Sequence, residues 1–156
     1  MEMNIKRMLV TLAVCMFAAT VCHAQDVQMG TWKLNESKSK IAPGGAKNNT
    51  VVYEPAGEMI KITVDGTNSD GSAAHNEWTG KFDNKDYPVT GDSTSDARSY
   101  RRQGARTLLF NIKKDGKVTV TGRVVVSANG KMRTVTTTGT DSTGKKFKTI
   151  AVYDKQ

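Results

Sequence analysis

The chain has 156 residues, which suffice for one ordinary domain and are too few for two. Lys and Arg number 23 against 15 Asp and Glu, so the formal net charge is +8, which favours anionic partners over cationic ones. An ordinary lysine-rich surface accounts for the same count, because most of the positive charges are scattered among acidic residues.

Residues 1–24 contain the three parts of a cleavable signal peptide in the right order. A short segment ending in Lys6-Arg7 precedes an apolar run over 8–21, and Cys22-His23-Ala24 places small side chains at the two positions that a signal peptidase reads. The run is shorter than the roughly 20 apolar residues of a membrane-spanning helix, and no later segment is apolar enough to span a membrane. We therefore expect residues 1–24 to be removed and the mature domain, residues 25–156, to be secreted or periplasmic.

Removal of this segment restricts the chemistry that the mature chain can perform. Two of the 23 basic residues, one of the 15 acidic residues and both cysteines, Cys15 and Cys22, lie within it, so the mature chain has a net charge of +7 and no thiol. One histidine, His75, remains, which leaves neither a thiol mechanism nor a histidine-based metal site, and no Gly-x-Ser-x-Gly motif is present. We expect no catalytic residue, no metal and no cofactor, and hence no enzyme.

The mature sequence alternates apolar and polar residues in short segments, a pattern typical of β-strands. Turn dipeptides such as Asp115-Gly116 and Asn129-Gly130 separate the segments and predict tight hairpins. Ten strands are predicted, over residues 30–34, 50–54, 59–65, 73–82, 87–91, 97–103, 106–113, 117–127, 131–139 and 145–154. Successive hairpins make neighbouring strands antiparallel, and a long meander tends to close on itself. The predicted fold is all-β: a single antiparallel up-and-down barrel of eight to ten strands.

The alternation also predicts which side chains face the core. Inward rows are expected at Ile60, Ile62 and Val64; Trp78 and Phe82; Leu108, Phe110 and Ile112; and Val118, Val120, Val124 and Val126. The last strand carries apolar residues on both faces, which predicts an outer cover. The long connection over 35–49 is expected to form either a short helical turn or a loop across one mouth of the barrel.

Two segments at the ends of the mature domain resemble a known group of barrels. Gly30-Thr31-Trp32-Lys33-Leu34 is similar to the Gly-x-Trp opening of lipocalins and fatty-acid-binding proteins, and Val152-Tyr153-Asp154-Lys155-Gln156 is similar to the last strand of the latter. With Lys85-Asp86-Tyr87-Pro88-Val89-Thr90-Gly91, the domain resembles lipocalin-like small secreted bacterial proteins of the calycin type. The resemblance implies a lipocalin-like barrel over 25–156, with Gly30 and Trp32 as a structural motif at one end.

The last strand departs from this resemblance at one position. Fatty-acid-binding proteins usually carry Arg-x-Tyr there, and the arginine meets the ligand carboxylate. Ala151 occupies the matching position in this chain, two residues before Tyr153. The resemblance therefore does not extend to the binding of ordinary fatty acids.

The strongest internal candidate for a binding site is Arg98-Ser99-Tyr100-Arg101-Arg102. On a regular strand Arg98, Tyr100 and Arg102 share one face, and Ala97, Ser99 and Arg101 share the other, so at least one arginine turns inward. A buried guanidinium needs a carboxylate, water or an anionic ligand, so we expect this row to receive the polar head of an amphiphile. The alternative is a bulged or rim strand with every arginine in solvent.

These observations predict an exported binding protein that holds a small apolar or amphipathic molecule inside a β-barrel. The candidate ligand-binding residues are Arg98, Tyr100, Arg102, Arg106, Trp78, Phe110 and Tyr153. The alternative is a packed barrel whose basic surface binds a protein or an anionic envelope polymer. Nucleic acid is not expected as a partner, because one aromatic residue in the basic cluster offers little stacking surface.

Overall fold

The computed structural model describes residues 26–141 and 143–156, so the predicted signal peptide lies outside the described residues. The strands are β1 (Gly30–Leu34), β2 (Lys47–Ala56), β3 (Met59–Thr67), β4 (Ala73–Gly80), β5 (Tyr87–Thr90), β6 (Ala97–Arg102), β7 (Thr107–Lys114), β8 (Lys117–Val126), β9 (Met132–Thr140) and β10 (Lys146–Lys155). A single 3₁₀ turn, Glu36–Lys38, is the only helical element in this part of the chain. None of its helices is therefore long and apolar enough to cross a bilayer.

The ten strands form one closed antiparallel barrel. Each strand pairs with its neighbours in sequence, and β1 pairs with β10 to complete the ring, with Trp32 opposite Lys155. Closure gives every strand a partner on both sides. The prediction of an all-β up-and-down barrel is confirmed, and the strand number is the upper end of the predicted range.

Tight turns explain why consecutive strands are neighbours. Between β7 and β8, both Asp115 (φ 51°) and Gly116 (φ 73°) have positive φ, as a two-residue hairpin turn of the primed type requires. Lys114 and Lys117 then pair directly across the turn. The Asp-Gly pair predicted from the sequence therefore sets the register of this hairpin.

The core lies inside the ring, mostly where the alternation predicted it. Ile62, Val64, Trp78, Leu108, Phe110, Val124 and Val126 are all buried. The prediction for Val118 is wrong, since this side chain is 50% exposed. The reason is a β-bulge in β8: Ile112 pairs with Val120 and Lys113 with Val118, so Thr119 has no partner and the alternation is interrupted.

The segment after β1 covers the outer face of β10. Lys40 and Ile150 exchange both backbone hydrogen bonds, and the Ser39 hydroxyl accepts a bond of 2.9 Å from the Val152 amide. These contacts bury Val152 on the outside of the barrel while Tyr153 is buried on the inside. The cover therefore explains why β10 is apolar on both faces.

The barrel wall is thinnest around β5. Two residue pairs join β4 to β5 and two join β5 to β6. Trp78 on β4 compensates, since its indole Nε1 donates a 3.0 Å hydrogen bond to the carbonyl oxygen of Arg98 on β6. This fully buried side chain therefore connects the strands on either side of β5.

We predict that Gly122→Val destabilises the barrel by about 1–3 kcal/mol through overpacking. Gly122 lies opposite Phe110, and a Cβ at this position would overlap the Phe110 ring. Its φ is not positive, so the cost is steric rather than conformational. Urea unfolding measures the change, with Thr121→Val on the outer face of β8 as a control expected within about 0.5 kcal/mol of the parent. Equal effects of the two substitutions, or an undiminished cost of Gly122→Val when it is measured in a Phe110→Ala background, would contradict the steric account.

Candidate binding cavity

A cavity of about 220 Å³ lies inside the barrel and opens to solvent at one end. Its lining includes Ala46, Asn68 and Thr94, which belong to the loops at one end of the barrel. The apolar part of the lining consists of Val51, Ile62, Val64, Phe110, Ile112, Val124 and Val135, together with the rings of Tyr53, Tyr100 and Tyr153. The uncharged polar part consists of Asn48, Thr67, Asn68, Asn76, Thr94 and Thr137, and the charged part of Asp92, Arg98 and Arg133. The cavity therefore combines apolar walls with polar groups, three of which are charged.

Arg133 on β9 lies deepest in this arrangement, near the end closed by Trp32. Only 2% of the residue is exposed, and its Cζ lies 4.9 Å from the Trp32 ring centroid, 4.8 Å from that of Tyr53 and 4.9 Å from that of Tyr153. The faces of these three rings attract the cation. The Nε and Nη1 atoms of Arg133 are buried and have no hydrogen-bond partner within the described residues.

Arg98 on β6 also points inward, but it has a carboxylate partner. Its Nη2 lies 2.7 Å from Oδ2 of Asp92, and the two side chains are 8% and 16% exposed. Asp92 belongs to the loop between β5 and β6, so this ion pair ties the mouth of the cavity to the wall. The alternative that every arginine of the cluster lies in solvent is therefore wrong for Arg98.

Asp92 is held in its ionised form. Burial by itself would raise the pKa of this carboxyl group, but hydrogen bonds from the hydroxyls of Ser95 (2.6 Å) and Thr94 (2.7 Å), and from Arg98, outweigh burial and lower the pKa to about 2. Burial raises the pKa of Tyr153 to about 12 and that of Tyr100 further, so both phenols are neutral near pH 7. With two arginines and one aspartate, the lining carries a net charge of +1.

Four of the predicted ligand-binding residues line the cavity: Arg98, Tyr100, Phe110 and Tyr153. Tyr100 is central to the wall, because its ring centroid lies 4.7 Å from Trp78 and 5.5 Å from Phe110. Trp78 itself is not part of the lining and packs behind Tyr100.

Arg102 and Arg106 lie outside the cavity. Arg102 forms an ion pair with Asp26, and its guanidinium lies 5.0 Å from the centroid of the Phe82 ring. The Arg106 side chain is exposed, and its backbone carbonyl accepts a 3.3 Å hydrogen bond from Nε2 of Gln28. The strand β6 ends at Arg102, at the closed end of the barrel, so the inward face of this row does not continue to Arg102 and Arg106.

The Gly-x-Trp segment forms part of the closed end. Gly30 has a φ of 110°, a conformation that residues with a Cβ rarely adopt. Trp32 is fully buried, and its Nε1 donates a 2.9 Å hydrogen bond to the carbonyl oxygen of Gln28. The motif therefore positions the ring on which Arg133 rests.

Sequence reasoning missed Arg133, Tyr53 and Asp92. Arg133 opens the alternating segment Met132–Thr140 and has the same inward phase as Val135 and Thr137, which is the signal that could have identified it. Asp92 follows Gly91 in a loop, where no strand alternation indicates whether a side chain points inward or outward. Within residues 26–141 and 143–156, no group of three or more His, Cys, Asp and Glu side chains is arranged to hold a metal ion.

Comparison with solved structures supports the fold. The chain is similar to EF1p2_mFAP2b bound to DFHBI, with 11% identity, a TM-score of 0.51, and coverage of 83% of this chain and 94% of that chain. It is also similar to a redesigned beta barrel, mFAP1, bound to DFHBI, with 16% identity, coverage of 83% and 95%, and a TM-score of 0.47, too low to support any conclusion. No protein-family model matches the chain, and no curated protein does. The closed ten-strand ring and the first of these matches show an antiparallel up-and-down β-barrel fold.

We predict that Asp92→Asn lowers the free energy of unfolding at pH 7 by about 3 kcal/mol, because it leaves the buried Arg98 charge without its partner. The folded pKa of Asp92 lies below its unfolded value, so its stabilisation is present above about pH 4 and is lost as the pH falls toward 2. Urea unfolding between pH 7 and pH 2.5 should therefore show the difference between the parent and Asp92→Asn shrinking with acidification.

Asp70→Asn provides the matched control. Asp70 accepts hydrogen bonds from Ser72 in a similar turn, but it is exposed and has no arginine partner. Its substitution should cost less than about 1 kcal/mol. A loss as large as that of Asp92→Asn would mean that the turn, and not the ion pair, is responsible.

Proposed function

We propose that the mature domain is an exported binding protein that holds one small amphipathic molecule inside its barrel. The observation that carries this proposal is the cavity inside the barrel, which combines apolar residues with polar groups, three of which are charged. Sites for small molecules usually have this composition. Barrels of this class can enclose one small ligand.

The distribution of polarity supports an amphipathic rather than a purely apolar ligand. The apolar residues Val51, Ile62 and Val124 would contact a hydrocarbon body, whereas Arg98 and Arg133 would contact a polar group. Burying a guanidinium is costly, and a purely hydrocarbon ligand would offer it no compensating interaction.

The structural neighbour EF1p2_mFAP2b provides support by analogy. That protein is bound to DFHBI, so a barrel of similar shape can hold a small molecule. Shared fold alone does not determine function, and at 11% identity the ligand itself does not transfer to this chain.

The proposal also includes export of the protein and a role in binding rather than in catalysis. The signal-peptide features of residues 1–24 support delivery to the periplasm or the exterior. A role in binding rather than catalysis is supported by the position of His75, which lies on the exposed surface with its Nδ1 2.6 Å from Asp65 Oδ1.

Native mass spectrometry of the protein isolated from its own host without delipidation tests the proposal. We expect the mass of a chain beginning at Gln25, with a reproducible adduct of a few hundred daltons or less that is lost on denaturation. Thr137→Phe, which fills the cavity, should abolish the adduct, whereas Thr138→Phe on the exposed face of the same strand should retain it.

A bare protein mass from several gentle preparations would contradict the proposal, as would an adduct that both phenylalanine variants retain. The alternative function would then be favoured, in which the outer surface, with its net charge of +7, binds a protein or an anionic envelope polymer. A mass that includes residues 1–24 would contradict export by signal cleavage alone.

A further inference from the structure

We propose that Arg133 is the anion-binding group of the cavity and that the ligand is a compact monoanion, such as a carboxylate on a single ring or a short chain. This inference rests on the proposed function, because it assigns the ligand class to the same cavity. It goes beyond the sequence-based expectation, which placed the polar head at the Arg98–Arg102 row.

The two inward arginines are not equivalent. Arg98 already has an ionised partner, Asp92, at 2.7 Å, so an anion placed there would compete with a fixed carboxylate. No acidic group lies within 4.0 Å of Arg133 in the described residues. The charge that still needs compensation in the cavity is therefore that of Arg133.

The aromatic residues around Arg133 stabilise its charge but do not accept hydrogen bonds from all of its N–H groups. The rings of Trp32, Tyr53 and Tyr153 lie 4.8–4.9 Å from Cζ and stabilise the positive charge through their faces. They do not accept hydrogen bonds from the buried Nε and Nη1, which have no partner. A carboxylate would accept hydrogen bonds from the guanidinium, and it does so in a bidentate manner where two N–H groups share one edge, as Nη1 and Nη2 do.

The charge balance of the lining defines the ligand charge. Asp92 cancels the charge of Arg98, and Tyr100 and Tyr153 are neutral, so Arg133 leaves one positive charge in the lining. A monoanion neutralises this charge. A neutral molecule leaves it uncompensated, and a dianion introduces a second charge that no lining group balances.

The cavity volume defines the ligand size. Its approximately 220 Å³ is below the 300–1,000 Å³ typical of sites for drug-sized molecules. Tyr100 and Phe110, with ring centroids 5.5 Å apart, line one side of the cavity. A single ring or a short chain fits within this volume, whereas a long acyl chain does not fit wholly inside it.

The test compares three probes of one shape: benzoate (monoanion), benzamide (neutral) and terephthalate (dianion), measured by isothermal titration calorimetry at pH 7. For the parent protein we expect benzoate to bind at least tenfold more tightly than benzamide or terephthalate. In Arg133→Gln the preference for benzoate over benzamide should fall below about threefold, while benzamide binding stays within about twofold of the parent. Palmitate should not displace benzoate from the parent.

Arg123→Gln is the matched control, since Arg123 lies on the exposed face of β8 and does not line the cavity. This variant should retain the full preference for benzoate. Near-UV circular dichroism checks the fold of each variant, and if Arg133→Gln does not fold, Arg133→Met, which removes the charge and leaves an apolar chain among the rings, takes its place with the same expected loss of preference.

The outcomes distinguish the two proposals. Equal binding of benzoate and benzamide to the parent would overturn the monoanion inference and leave the binding function standing, as would an Arg133→Gln variant that keeps the full preference. If no probe binds but native mass spectrometry finds an adduct, an anionic adduct supports the inference and a neutral one overturns it. If no probe binds and no adduct exists, both proposals fail.

Discussion

Closure of the ring by the pairing of β1 with β10 is the constraint on which the rest of this structure depends. Once Trp32 lies opposite Lys155, every strand has two partners and the inward-facing side chains are separated from bulk water. Polar groups in this interior must find partners inside the barrel, because the interactions available to them in water are gone. The charges of Arg98 and Arg133 must therefore be compensated by groups inside the barrel.

The barrel accommodates its two interior arginines by different means. Arg98 relies on a loop carboxylate that is itself held by two hydroxyls, so the cost of burial is shared among four residues. Arg133 relies on ring faces, which offset its charge but leave two N–H groups unsatisfied. The first arrangement includes a counter-charge and leaves the Arg98 Nε without a partner, whereas the second has no counter-charge and leaves both Nε and Nη1 of Arg133 without one. An incomplete polar site at the deep end of a cavity is what a binding function requires and what a purely structural core would avoid.

The alternation of polar and apolar residues was sufficient to predict the barrel. All ten strands were found, with ends shifted by at most three residues, because each has a clear period of two and a turn signal at its boundary. The same rule failed at Val118, since a bulge at Thr119 has no distinct signature in the sequence. Arg98 and Tyr153 were identified because their strands are regular, and Arg133 was overlooked because a single basic residue at the start of a strand looks like any exposed one. Asp92 could not have been identified, since its contact with Arg98 depends on the path of a loop.

The size of the cavity reflects a balance between residues that fill the interior and residues that leave it open. Trp78, Phe82 and Tyr100 stack toward the closed end and one side, with ring centroids 4.7–6.3 Å apart, and Gly122 removes a side chain so that Phe110 can join them. Across the ring on β9, Val135 and Thr137 line the cavity with shorter side chains. Placing the rings of Trp78, Tyr100 and Phe110 on the β4–β7 side stabilises the barrel by burial and leaves space beside these shorter side chains. Because Tyr53 and Tyr153 are held at the bottom of that space by the ring closure, the charged group between them is presented to any occupant in a fixed position, and little ordering is required on binding.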